Sequence, residues 1–123
     1  MVFTKSLKGS YYFKKCLRKG KYSSSANITT YVLDNKKNKT NNYLGICVSK
    51  KHGNSVVRNR LKRWAKEAYK ELEYAMFKGK QIIILYKKNI DINDLSFHTI
   101  KNELEQNCLK LKIIDNVYNN EKN

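Results

Sequence analysis

The sequence predicts a mixed α+β chain, an α/β sandwich in which helices pack on one sheet, in the order helix, three strands, helix, strand, helix. Three observations carry that prediction. Apolar Val57, Leu61, Trp64, Ala65, Ala68, Leu72 and Met76 recur at helical period. The unbroken apolar run Ile82 to Tyr86 has the length of a strand buried on both faces. The β-formers Ile28, Thr29, Thr30, Tyr31 and Val32 stand together. A chain of 123 residues has room for one modest core. We place a single domain over 1–114 and expect a polar, disordered tail over 115–123.

The elements follow in order. Ser10 can cap a first helix that stops at Gly20, with Phe13, Cys16 and Leu17 at helical spacing. A short strand over 21–25 precedes a clear one over 25–34. A polar, lysine-rich loop over 35–42 leads into a strand over 43–49. Gly53 and Asn54 mark a turn. The long helix then runs from about Val56 to about Lys78 and is closed by Gly79. The strand over 80–87 is central. Ser96 caps a last helix from Phe97 to about Lys110, with Phe97, Ile100, Leu104 and Cys108 inward.

Net charge is +16 at pH 7, which calls for a polyanionic partner. Arginine is the sharper indicator. The chain has four, and Arg58, Arg60 and Arg63 fall within six residues. The planar guanidinium grips phosphate with two hydrogen bonds, which lysine cannot copy. Arg58, Lys62, Lys66 and Lys70 climb the long helix in steps of four, beside Asn59 and Arg63. Between residues 50 and 70 eight basic residues meet one acid, Glu67. Like charges at that spacing destabilise a helix, so an anion is expected to offset them. Free N–H groups in the first turn would add to the attraction. A solvated surface face is the bland alternative.

Other chemistries find little support. Cys16, Cys47 and Cys108 are widely spaced, with no Cys-x-x-Cys pair, so no metal site is expected and the thiols read as reduced. No acid–base pair, Ser-His-Asp set or glycine-rich phosphate loop is present, so no catalytic residue is assigned. No stretch is long enough to span a membrane, and the N-terminus lacks the pattern of a signal peptide, which points to the cytoplasm. His52 reads equally as a phosphate contact or an exposed turn residue; Trp64 reads as packing. A general RNA-binding or ribosomal protein stays open, as do DNA and an acidic membrane, the last disfavoured because no bulky apolar surface helix is evident.

The run Val48-Ser-Lys-Lys-His-Gly-Asn-Ser-Val-Val-Arg-Asn-Arg-Leu-Lys-Arg63 is specific. It resembles the signature of the bacterial ribonuclease P protein family: a strand ending in Ser-Lys-Lys, a Gly-Asn turn, then Arg-Asn-Arg and Lys-Arg. Weaker likeness extends from about Leu7 to about Lys110. The resemblance implies a fold like domain 2 of ribosomal protein S5, with a left-handed βαβ crossover against the usual rule. It implies a non-catalytic subunit that assists tRNA 5′ maturation. Its partners would be ribonuclease P RNA, which does the cutting with Mg²⁺, and precursor tRNA, with no obligate protein partner and no membrane. Lys50, Lys51, Asn54, Arg58, Asn59, Arg60, Lys62 and Arg63 would meet the catalytic RNA. Phe13, Leu17, Tyr31, Lys62 and Lys66 would hold the single-stranded 5′ leader, by aromatic stacking beside cations. The sequence departs from the family where Leu17 replaces a common aromatic, Lys66 a frequent arginine and His52 an often apolar residue.

Overall fold

Strand β5 (Lys80–Tyr86) is the centre of the molecule, and its isoleucines explain the arrangement. Ile82, Ile83 and Ile84 are fully buried, because both sheet faces are covered there. The structure, a computed structural model, describes residues 1–115; the expected tail, apart from Asp115, lies outside the described residues. Strand β4 (Asn42–Cys47) runs parallel to β5, and β3 (Ile28–Asp34) antiparallel on its other side. Strands β1 (Thr4–Ser6) and β2 (Lys21–Ser24) complete a five-stranded mixed sheet in the order β1-β4-β5-β3-β2.

Helices cover both faces. On one, α2 (Ser55–Leu72) and α3 (Phe97–Lys110) pack Leu61, Ala65, Tyr69, Leu72, Ile100 and Leu104 against Ile82, Ile84 and Tyr86. The Tyr86 hydroxyl donates to the Leu61 carbonyl at 2.7 Å, joining β5 to α2. On the other, α1 (Ser10–Lys19) lays Cys16 on Ile83. The three thiols are free, and burial pushes Cys16 up to about 11. No helix among the described residues is long and apolar enough to cross a membrane.

The expected succession is present, with four corrections. Ser10 is the first residue of α1 rather than its cap; Gly9 holds that place with φ 91°. The expected strand over 25–34 begins at Ile28, and that over 43–49 occupies Asn42–Cys47. The long helix ends at Leu72, well before Lys78. A 3₁₀ turn over Glu73–Ala75 follows, and Met76 becomes extended to bridge Ile114. Finally, β1 precedes the expected elements.

The last two corrections share a cause. The Glu73 carboxylate accepts from the N–H of Val2 at 2.6 Å and of Phe3 at 3.3 Å, so the turn after α2 anchors the strand at the sheet edge. Burial opposes the charge on Glu73, but hydrogen bonds from the Thr4 hydroxyl and these two N–H groups outweigh it and hold the carboxyl below its ordinary value. A lowered folded value stabilises above the unfolded one, and that stability disappears as pH falls through the folded value. Glu73→Gln is therefore expected to speed hydrogen exchange at the Asn42 N–H, which donates to Phe3, by roughly tenfold at neutral pH. Acidification below the ordinary carboxylate range should lower the protection factor of the same amide in the parent, measured against the slower intrinsic exchange at that pH. Unchanged exchange in the variant would show that the carboxylate is no anchor.

Candidate nucleic-acid interface

The interface begins in the turn before α2. There Lys50–His52 form a 3₁₀ turn capped by Ser49, whose Oγ accepts from the Lys51 N–H at 3.1 Å. His52 is 4% exposed, so it is neither a surface residue nor a free phosphate ligand. Its Nδ1 accepts from the Ser49 N–H at 3.0 Å, and its Nε2 faces the Lys87 carbonyl at 2.7 Å. Those partners assign the ring proton to Nε2. His52 thus latches the turn to the end of β5 and leaves Lys50 and Lys51 outside, exposed. Gly53 turns the chain at φ 139°, a conformation disfavoured for other residues. Asn54 caps α2, its Oδ1 accepting from the Val57 N–H at 3.1 Å, so that oxygen is engaged within the chain.

Along α2 the buried stripe is Leu61, Ala65, Ala68, Tyr69 and Leu72. It fixes the rotation of the helix and turns Asn59, Arg60, Lys62, Arg63 and Lys66 to solvent. Arg58 is half-buried, and its Nε is enclosed with no hydrogen-bond partner among the described residues. Among the described residues, none of Arg58, Arg60, Lys62, Arg63 and Lys66 has a carboxylate partner. Nearby Glu67 pairs instead with Lys70, at 3.6 Å.

Beside this flank lies a groove. Strand β1 covers β4 only as far as the bond from the Leu7 N–H to the Leu44 carbonyl, leaving the rest of the β4 edge uncovered. A cavity of about 460 Å³ opens there, lined by Phe13, Gly45, Ile46, Lys62, Arg63 and Lys66 among others. The tip of the Phe13 ring packs on Gly45, where a Cβ would clash with Cζ and stand 2.7 Å from Cε1. The structure thus unites Phe13 with Lys62 and Lys66. Leu17, 38% exposed, and Tyr31, half-buried, do not line this cavity. Tyr31 belongs to the same packed cluster as Phe13 and meets the exposed ring of Tyr22 at 5.7 Å between centroids.

Gly45, Ile46 and Tyr22 escaped the sequence reading. A lone glycine inside a strand, the mark of a close approach, was the available signal for the first. For Tyr22 it was the antiparallel register that sets it opposite Tyr31.

Comparison with known proteins points to one family. The family model described as Ribonuclease P matches residues 1–112. The ribonuclease P protein component of Natranaerobius thermophilus is 34% identical over 109 residues, 89% of this chain and 91% of that one. That of Thermoanaerobacter sp. is 36% identical over 104 residues, 85% and 86% of the two chains. The solved RNase P protein of Staphylococcus aureus superposes with a TM-score of 0.78 at 28% identity, covering 92% of this chain and 98% of that one. The Thermotoga maritima protein shares the fold, with a TM-score of 0.72 at 24% identity, over 83% and 93%. On the family match and the extent of the curated relatives, this chain belongs to the ribonuclease P protein family.

Proposed function

We propose that the chain is the protein subunit of a bacterial-type ribonuclease P, acting in the cytoplasm on the 5′ ends of precursor tRNAs. One observation carries the reading: a cationic flank on α2, whose Arg60, Lys62, Arg63 and Lys66 have no carboxylate partner among the described residues, borders a groove lined by Phe13, with Glu67 the one acid in its wall. Arg58, Asn59, Arg60, Lys62 and Arg63, with Lys50, Lys51 and Asn54 at the turn, meet the catalytic RNA. Phe13, Leu17, Tyr31, Lys62 and Lys66 hold the 5′ leader. In this reading the fold is of the ribosomal-protein-S5 kind, and β4, α2 and β5 form its left-handed crossover.

The work of the protein is differential binding. Mature tRNA lacks the leader and gains nothing from the groove, so precursor is favoured. Cations on α2 relieve phosphate repulsion as two RNAs approach, and each phosphate neutralised releases counterions. The RNA subunit, with Mg²⁺, cuts the bond. The test mixes this chain with a bacterial ribonuclease P RNA and precursor tRNA at low Mg²⁺. Protein-dependent 5′ maturation is expected, with the need for protein shrinking as Mg²⁺ or salt rises. Cleavage by the protein alone, or equal affinity of the holoenzyme for precursor and mature tRNA, would overturn the reading.

A further inference from the structure

We propose that a second cavity, across the α1 N-terminus from the Phe13 groove, binds a purine nucleotide through the exocyclic amine of its base. It goes beyond the leader reading and uses none of the residues assigned there. The two cavities share Ser6 and Leu7 as a wall. The second measures about 560 Å³, within the range of small-ligand sites.

The sheet register builds its floor. Lys5 lies opposite Tyr43, and Tyr43 opposite Gln81, so the three line one row on the α1 side of the sheet. Gln81 is 7% exposed, and its Oε1 is enclosed with no hydrogen-bond partner among the described residues. Buried side-chain oxygens are rarely left so, because losing water without gaining a donor is costly. Gln81 lines the cavity, and its terminal amide torsion is broad and roughly two-fold, so turning the amide over exchanges Nε2 for Oε1 and brings that oxygen to a donor seated above it.

The walls suit a base. Tyr43 is pinned, its hydroxyl accepting from Asn38 Nδ2 at 3.1 Å. Asn38 is itself fixed, its Oδ1 accepting from the N–H groups of Thr40 and Asn41 at 3.1 Å each. Tyr12, 45% exposed, stands at the mouth. Each of these two tyrosine rings offers a face on which a base can stack without demanding a sequence. Lys5, Lys8 and Lys37 line the same cavity and no carboxylate does, which suits the phosphate. An aminopurine nucleotide satisfies all three features at once: stacking face, N–H donor and anion. Phosphate alone would leave the tyrosines and the orphan oxygen unused.

The test titrates the full chain with adenosine 5′-monophosphate, purine riboside 5′-monophosphate, which lacks the amine, and inorganic phosphate, followed by NMR. Adenosine monophosphate should shift the rings of Tyr12 and Tyr43 and the Gln81 side-chain amide. Loss of the amine should weaken binding about fivefold to tenfold in the parent. It should make no difference in Gln81→Met, which removes the orphan acceptor at similar volume. Tyr12→Ala should weaken both nucleotides alike. The parent alone carries the first comparison, so a poorly folded variant cannot hide the answer. Equal affinity for the two nucleotides in the parent overturns the proposal. So does binding no tighter than that of inorganic phosphate, or shifts centred on Phe13 and Ile46 instead. Tri-adenylate competing as well as the mononucleotide assigns the site to an RNA strand; failure to compete assigns it to a free nucleotide. No ribonuclease P RNA enters these titrations, so their failure and that of the leader reading are separable.

Discussion

Replacing Arg60 and Arg63 together by alanine is expected to weaken binding to a bacterial ribonuclease P RNA by about 100-fold near 0.1 M salt, while thermal stability stays close to the parent's. Both guanidinium groups are exposed and neither has a carboxylate partner among the described residues, so no internal ion pair is lost. The buried stripe of α2 is untouched. Removing two positive charges from a like-charged flank even relieves repulsion by a few tenths of a kcal/mol. What is lost is external. A hydrogen bond to a charged group contributes about 1.5–3 kcal/mol, and two at the low end give about two decades of affinity. The dependence of log K on log salt should flatten by roughly 0.7–0.9 for each phosphate contact removed. Arg58 is a poorer choice for this experiment, because its half-buried side chain mixes packing with charge. If the double variant binds RNA as the parent does, the flank is an ordinary solvated surface.

The parts of this interface that could be read in the sequence are those set by one element. The apolar period of α2 fixes which side is buried, and the cations then fall outside by subtraction. Its C-terminal end could not be read the same way. Met76 keeps the helical period, yet the helix stops at Leu72, because Glu73 serves Val2 and Phe3 and Met76 pairs with Ile114. Strand β1, Thr4-Lys5-Ser6, has no apolar residue to mark it. It exists through pairing with β4 and through Glu73, partners about 40 and 70 residues away. His52 sits in a run of polar residues and reads as exposed. Its burial is decided by the Lys87 carbonyl, 35 positions on. The groove was legible in part. Phe13, Lys62 and Lys66 come from two helices on opposite sheet faces, and their meeting depends on where β1 stops, which no local pattern states.

Gly45→Ala is expected to abolish the preference of the holoenzyme for precursor over mature tRNA while leaving affinity for the catalytic RNA within about twofold. The new Cβ would stand 2.7 Å from Phe13 Cε1 and closer still to Cζ, so something must give. It will not be β4, which is paired to β5 from Tyr43 to Cys47. The ring of Phe13 must swing out, or α1 must lift its Cys16 from Ile83. Overpacking of this kind costs about 1–3 kcal/mol, so a drop in urea stability within that range should accompany the lost discrimination. The α2 flank packs on the other face and keeps its geometry, so RNA affinity is spared. The companion variant Phe13→Ala separates cause from damage. Placed in the Gly45→Ala background it should recover much of the lost stability, because the clash is gone, but none of the leader preference, because the wall is gone as well. Retained precursor preference in Gly45→Ala, with parental stability, would mean that Phe13 does not wall the site where the leader lies.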